Sequence, residues 1–177
     1  MHADRATVVI RPARAADAAP IAAIYNHHVT GTIVTFDETP LDAREMARLI
    51  RAATLPWLVV EDLDALAGYA RALPWKTRSA YRHTVESSVY VDPAFQRRGH
   101  GRRLYEALLK ELVTRDVHCV LAGIALPNPA SVALHESLGF RPAGTLPEVG
   151  LKFGRWVDVG YWTLVLSPGR ASPPKRA

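Results

Sequence analysis

The stretch that most constrains this chain runs from His83 to Leu112. His83 to Val91 interleaves Val85, Val89 and Val91 with polar residues, which is the two-residue period of a half-buried strand. Asp92-Pro93 ends it as a turn dipeptide. Gln96-Arg97-Arg98-Gly99-His100-Gly101 then opens a helix expected over Gly99 to Asp116, where Leu104, Leu108 and Leu112 recur every four residues, backed by Tyr105, Leu109 and Val113. Two glycines without side chains allow main-chain N–H groups to close around an anion, and the helix N-terminus adds roughly +0.5 of an elementary charge. The segment is therefore a candidate pyrophosphate cradle. Glycines also serve turns and helix starts for geometry alone, so by itself the pair leaves both readings open. There is no Gly-Lys-Ser/Thr after a four-residue gap and no three-glycine fingerprint after the first strand. P-loop and dinucleotide-fold readings are thereby excluded.

The flanking sequence predicts mixed α and β structure in one domain. Thr7 to Arg11 reads as a strand, Ala15 to His28 as a helix, and Gly31 to Thr39 as a loop around Phe36. Asp42 is placed to cap a second helix with Met46, Leu49 and Ile50 on one face, ending at Pro56. Trp57 to Glu61 and Leu66 to Leu73 read as a hairpin around Asp62 to Asp64. Beyond the leucine-rich helix come a strand over Val117 to Leu126, a helix over Pro129 to Leu138 stopped by Gly139, and strands over Phe140 to Thr145 and Val157 to Leu166. No repeat with a period of 20 to 50 residues is present, which argues against solenoids.

The 177 residues suffice for one full core, and 49% hydrophobic with 22% charged residues is the balance of a globular chain. The domain is expected over 1–167, with 168–177 a disordered tail whose Arg170, Lys175 and Arg176 inflate the net charge of +5. In the body, Arg97, Arg98, Arg102 and Arg103 suit a compact polyanion, or else form a solvated helix face. Aromatic residues are not interleaved among them, which weakens a nucleic-acid reading. Cys119 is the lone cysteine, so no internal disulfide is possible; a reducing compartment is implied, and the residue reads as a small buried hydrophobe. No apolar run approaches the roughly 20 residues that span a bilayer, and no signal pattern opens the chain. The expectation is a cytoplasmic protein without a membrane partner. The histidines His27, His28, His83, His100 and His118 lack metal-ligand spacing, and no metal is expected.

The glycine loop is followed about thirty residues later by Asn128-Pro129-Ala130-Ser131, leading into Leu134-His135-Glu136-Ser137-Leu138-Gly139-Phe140. Together these resemble the GNAT acetyltransferases, whose pattern is an Arg/Gln-x-x-Gly-x-Gly/Ala loop, an Asn-bearing loop, a helix and a Gly-Phe. Trp75-Lys76-Thr77-Arg78, Thr84-Val85-Glu86-Ser87-Ser88-Val89-Tyr90-Val91 and Gly150-Leu151-Lys152-Phe153-Gly154-Arg155-Trp156 are similar to the phosphinothricin acetyltransferase branch. Its members acetylate the α-amine of phosphinothricin, methionine sulfoximine, methionine sulfone or similar amino acids. The likeness covers about residues 7 to 167.

The resemblance implies the GNAT fold: a mixed, mostly antiparallel sheet of six to seven strands flanked by about four helices. It implies acetyl-CoA as co-substrate, direct attack in a ternary complex, and a homodimer to which Val157 to Leu166 or the Phe36 loop contributes. Carried over by position, Val89, Tyr90 and Val91 meet the pantetheine and acetyl group, and Arg97, Arg98, Gly99, His100, Gly101 and Arg102 hold the pyrophosphate. Asn128 contacts either pantetheine or acceptor. Glu86 matches the family glutamate and is the expected general base; a carboxylate paired with Arg78 or Arg82 on the solvent face is its other reading. Many members place a tyrosine acid where this chain has His135, which is left with two roles, thiolate acid or proton relay on one side and structural partner on the other. Lys76, Thr77 and Arg78 suit an anionic acceptor, with Ser87 and Ser88 beside Glu86 and with Phe36 and Trp75 as an apolar wall or as core. A main-chain N–H near Tyr90 is expected to stabilise the thioester oxygen, which requires the strand to splay or bulge there. The competing functions are acetylation of protein N-termini or polyamines, and a non-catalytic CoA- or nucleic-acid-binding module.

Overall fold

The computed structural model describes residues 8–166; the expected tail, 168–177, lies outside them. Seven strands form one sheet: β1 Val9–Pro12, β2 Trp57–Asp62, β3 Ala65–Pro74, β4 Thr84–Val91, β5 Cys119–Ala125, β6 Arg141–Lys152 and β7 Arg155–Val165. Their spatial order is β1-β2-β3-β4-β5-β7-β6. Every pairing is antiparallel except β4 with β5. The helices are α1 Ala18–Gly31, α2 Ala43–Ala52, α3 His100–Val113 and α4 Pro129–Ser137. This is the mostly antiparallel, helix-flanked sheet that the resemblance implied.

The alternation of side chains along the strands divides the core in two. Trp57, Val59, Tyr69 and Tyr90 pack with Ile21, Ile24 and Tyr25 of α1 and Met46 and Ile50 of α2. Leu58, Val60, Val85 and Val120 face the other way, onto Leu104, Leu108 and Leu112 of α3. Each of those leucines is fully buried, worth about 1.5–3 kcal/mol apiece before entropy is counted. The cap expected at Asp42 is made, its carboxylate accepting from the Glu45 N–H at 2.7 Å. Leu63 and Asp64 both have positive φ, 54° and 61°, the requirement of a two-residue turn that matches strand twist, and β2 and β3 meet there.

β6 is the element that departs most from expectation. It runs twelve residues, well past Thr145, through Gly144 and Pro147, with register shifts between Pro142 and Gly144 and between Leu146 and Gly150. An edge strand tolerates proline and bulges because one side of its ladder is free. β7 lies between β5 and β6, so the edge at that end of the sheet belongs to β6.

Candidate active site

The parallel pairing of β4 with β5 stops at Glu86 opposite Leu121. Past that point each strand is held elsewhere. β4 stays on β3 out to Val91, and β5 stays on β7 out to Ala125. The ring of Tyr90 stacks on Tyr69 at 5.2 Å and meets Tyr25 edge-on at 5.5 Å, which anchors the splayed end of β4 on the α1 side. A cavity opens between the strands, lined by Ser87 to Tyr90, Gly123 to Ala125, Val34, Tyr105, Asn128, Ser131 and His135.

The register identifies the donors in this gap. The Trp75 N–H donates to the Thr84 carbonyl and the Asp92 N–H to the Ala67 carbonyl, so even-numbered β4 residues bond toward β3. Antiparallel ladders alternate. The Tyr90 N–H is thus committed to β3, and the N–H groups of Val89 and Val91 face the gap. Near Tyr90 the amides left outside the β3 ladder are those of its two neighbours.

In the connection that leads from β4 into α3, Arg97 has φ of +62° and Gly99 of +81°, both in the left-handed region. The first helical bond of α3 runs from the Arg103 N–H to the Gly99 carbonyl. The N–H groups of His100, Gly101 and Arg102 precede it and have no acceptor inside the helix. A Cβ on Gly101 would stand in ordinary contact, 3.4 Å from Leu134 and 3.8 Å from Val91, so a branched side chain would crowd those neighbours and the amides beside them. The arginines differ in use. Arg98 is drawn to Asp62 at 3.3 Å and lies over Phe95, and Arg102 donates to Ser137 at 2.7 Å and pairs with Glu106. The His100 ring is 2% exposed, turned inward, and bonds Asp62 through Nε2 at 2.9 Å.

Glu86 is half-buried on the α1 side of β4. Its carboxylate reaches across β5, with Oε1 3.0 Å from the place where a side chain on Gly123 would begin. Burial pushes its pKa up, and the charge of Lys76 pulls it part of the way back. Among the described residues neither Arg78 nor Arg82 pairs with it, and Arg82 donates instead to the Ser79 carbonyl. Trp75 and Lys76 stack as a cation over a ring at 5.0 Å, and Trp75 packs edge-on against Tyr81 rather than in the core. Thr77 and Arg78 follow on the same exposed connection. Phe36 lies across Gly150 of β6.

His135 is 3% exposed and both of its ring nitrogens are engaged. Nδ1 lies 2.7 Å from the Ser131 carbonyl, which only accepts, so that nitrogen carries the proton. Nε2 then accepts from the Tyr105 hydroxyl at 2.7 Å. Desolvation lowers the pKa of the ring, opposed by the Ser131 bond, and His135 is neutral at pH 7. Ser87 extends the chain, its Oγ 2.9 Å from Tyr105 and 3.1 Å from the Leu121 carbonyl. Asn128 caps α4, its Oδ1 accepting from the Ser131 N–H at 3.1 Å, which leaves its amide N–H groups for a ligand.

Tyr105, Gly123, Asp62 and Tyr161 escaped sequence reasoning. Tyr105 carried a signal, a hydroxyl in a fully apolar helix stripe, because a buried tyrosine oxygen needs a partner. Asp62 read only as part of a turn. Tyr161, whose pKa is raised by burial and then by Glu86, read as one more strand aromatic. Among the described residues no group of three His, Cys, Asp or Glu is placed to hold a metal, and no helix is long and apolar enough to cross a membrane.

Comparison with known proteins agrees with this geometry. The model of the acetyltransferase (GNAT) family matches residues 21–140. A phosphinothricin N-acetyltransferase of Streptomyces viridochromogenes is 44% identical over 164 residues, covering 92% of this chain and 90% of that protein. An L-methionine sulfoximine/L-methionine sulfone acetyltransferase of Salmonella typhimurium is 40% identical, covering 90% and 95%. The crystal structure of a GNAT superfamily phosphinothricin acetyltransferase from Sinorhizobium meliloti, in complex with acetyl-CoA, superposes with a TM-score of 0.90 at 34% identity, covering 97% of this chain and 95% of that one. With the family model matched over residues 21–140 and relatives of this identity and coverage, the chain belongs to the GNAT acetyltransferase family.

Proposed function

We propose that this enzyme uses acetyl-CoA to acetylate the α-amine of a small amino acid of the phosphinothricin, methionine sulfoximine or methionine sulfone kind. The observation that carries the reading is the gap between β4 and β5, where the Val89 and Val91 N–H groups are free, with Glu86 beside it. Acetyl-CoA supplies a thioester whose carbonyl carbon accepts the amine and whose sulfur leaves. The free edge of β4 offers hydrogen bonds to pantetheine where β5 has turned away, and the Asn128 amide group adds a donor across the cleft. The amides of His100, Gly101 and Arg102, with Arg97 and Arg102 nearby, suit the diphosphate.

Glu86 takes the ammonium proton of the acceptor, directly or through water, and a carboxylate with a raised pKa is a stronger base for that transfer. The Val89 and Val91 N–H groups are fixed where negative charge grows on the thioester oxygen, so no reorganisation is needed as the charge develops. Lys76, Thr77 and Arg78 supply cationic and hydroxyl donors for the acceptor carboxylate and its tetrahedral head, with Ser88 on the same face as Glu86. His135 orients the Tyr105 hydroxyl and Ser87 at the cavity floor; its single proton is committed to Ser131, which favours positioning over acid catalysis.

The test is thiol release from acetyl-CoA with methionine sulfone, methionine sulfoximine, phosphinothricin, spermidine and a short peptide. Turnover with the three amino acids and little with the last two is expected; preference for spermidine or peptide would overturn the acceptor assignment. Asp62→Ala provides a second check. Loss of the anchor of Arg98 and His100 should raise the KM for acetyl-CoA roughly tenfold and leave kcat within about twofold. An unchanged KM would show that the loop holds its shape unaided.

A homodimer formed through the β6–β7 hairpin belongs to the same proposal. Leu146, Val149, Leu151, Phe153 and Trp156 stand exposed there, Trp156 at 62%, beside the free edge of β6. Contiguous exposed apolar groups of this kind mark association surfaces. The mass in solution should be twice 19.5 kDa, and Trp156→Glu should shift it toward the monomer; a wild-type mass of 19.5 kDa would contradict the assembly.

A further inference from the structure

The Gly150 to Trp156 segment contains a charged group that acetyl transfer leaves without a role. Lys152 ends β6 with 1% of its surface exposed, and its ammonium donates to the main-chain carbonyl of Asp37. That carbonyl is its one hydrogen-bond acceptor among the described residues, and none of their ion pairs includes it. Burying an ammonium without a carboxylate partner is unfavourable, and an apolar side chain of equal length would fill the space at lower cost. Apart from the Phe153 ring, whose centroid lies 5.1 Å from Lys152 Nζ, the charge serves the carbonyl it holds.

Asp37 belongs to the connection between α1 and α2, which is fastened at several points. The Tyr25 hydroxyl donates to the Asp37 carboxylate and lies 3.0 Å from Thr35 Oγ1. Asn26 brackets Leu41, donating to its carbonyl at 2.7 Å and accepting from its N–H at 2.9 Å. The Phe36 ring occupies the space that a side chain on Gly150 would need. Between these fastenings, Val34 reaches the cavity wall beside Ser88, Val89 and Tyr90. Lys152 thus ties the end of the β6–β7 hairpin to the rim of the active-site gap.

We propose that Lys152 is a positioning residue for the acceptor. By holding the Asp37 carbonyl it fixes Val34 and Phe36 at the rim where the side chain of the amino acid enters, and so sets acceptor affinity and selectivity while leaving the acetyl-CoA cleft unaffected. The inference rests on the acetyl-transfer reading.

Lys152→Met and Tyr25→Phe, singly and together, test it in steady-state assays with methionine sulfone and acetyl-CoA. Lys152→Met should raise the KM for methionine sulfone about tenfold, with kcat and the KM for acetyl-CoA within about twofold of wild type. Its thermal midpoint should equal or exceed that of wild type, because a buried unpaired charge has been removed. A residue that only stabilised the fold would lower the midpoint and raise both KM values together. Tyr25→Phe should raise the same acceptor KM, and the double variant should show less than the product of the two effects, since both groups hold one segment. An unchanged acceptor KM in Lys152→Met, or an equal rise in both KM values, would overturn the proposal. Were Lys152→Met not to fold, an unchanged acceptor KM in Tyr25→Phe would overturn it equally. Failure of the underlying reading is separable, since wild type would then turn over no amino acid at all.

Discussion

Glu86→Gln is expected to lower kcat by about 10²- to 10⁴-fold while the KM for acetyl-CoA stays within about twofold, the signature of a lost general base. Glutamine keeps the volume and the cross-strand reach to Gly123 but cannot accept the ammonium proton. The pH profile provides an independent reading of the same group. Burial raises the Glu86 pKa against the opposing charge of Lys76, so the acid limb of kcat/KM should have its midpoint above the ordinary carboxylate range. Activity should climb as the pH rises through that midpoint and Glu86 loses its proton. Lys76→Met, which removes the opposing charge, should move the limb to higher pH. Stability runs the other way. A carboxyl whose folded pKa is raised contributes stability that is fully present below its unfolded pKa and is lost as pH rises through the folded one. At pH 7 the ionised Glu86 is therefore a burden on the fold, and Glu86→Gln should melt no lower than wild type. Calorimetry beside kinetics checks the pair: a variant both less active and less stable would indicate a structural role, and unchanged turnover would remove Glu86 from catalysis.

Gly101→Val is expected to raise the KM for acetyl-CoA at least tenfold, about 1.4 kcal/mol, with kcat at saturation retained. The two further methyl groups exceed the single Cβ that fits against Leu134 and Val91 and crowd the amides of the first turn of α3. Gly101→Ala is the control. Its single Cβ sits in tight but tolerable contact, and a helical glycine replaced by alanine gains up to about 1 kcal/mol of helix propensity, so cofactor affinity should change little. An unaltered KM in Gly101→Val, measured by thiol release, would place the diphosphate elsewhere.

Both predictions concern features of unequal legibility. The leucine repeat of α3, the valine alternation of β4, the Asp42 cap and the glycine loop lie within single elements, and a local period reveals them. The gap does not, because it depends on which neighbour each half of β4 and β5 prefers. Sequence reasoning could state that a splay was required near Tyr90, but only the register distinguishes Tyr90, bonded to β3, from Val89 and Val91, which face the cleft. β6 was read at half its length because Gly144, Pro147 and Gly150 look like breakers, and an edge strand accommodates them with bulges. His100 looked like a loop residue facing the ligand, yet it is turned inward by Asp62, a partner thirty-eight residues away with no local signal. His135 and Tyr105 each read plausibly alone, and only their 2.7 Å contact fixes the tautomer and the direction of the bond.

Three tyrosines brace one wall of the gap. Tyr90 stacks on Tyr69 and meets Tyr25, and burial raises the pKa of all three, so they remain neutral apolar buttresses throughout the working pH range.

In the proposed enzyme, free amides at two places, the first turn of α3 and the splayed end of β4, receive the two ends of acetyl-CoA. A crystal structure of this enzyme with acetyl-CoA measures it directly. The account predicts the diphosphate within hydrogen-bond distance of the His100, Gly101 and Arg102 N–H groups and the thioester oxygen on the N–H of Val89 or Val91, with Glu86 facing the acetyl carbon. A diphosphate bound elsewhere, or those amides engaged by the protein itself in the complex, would contradict it.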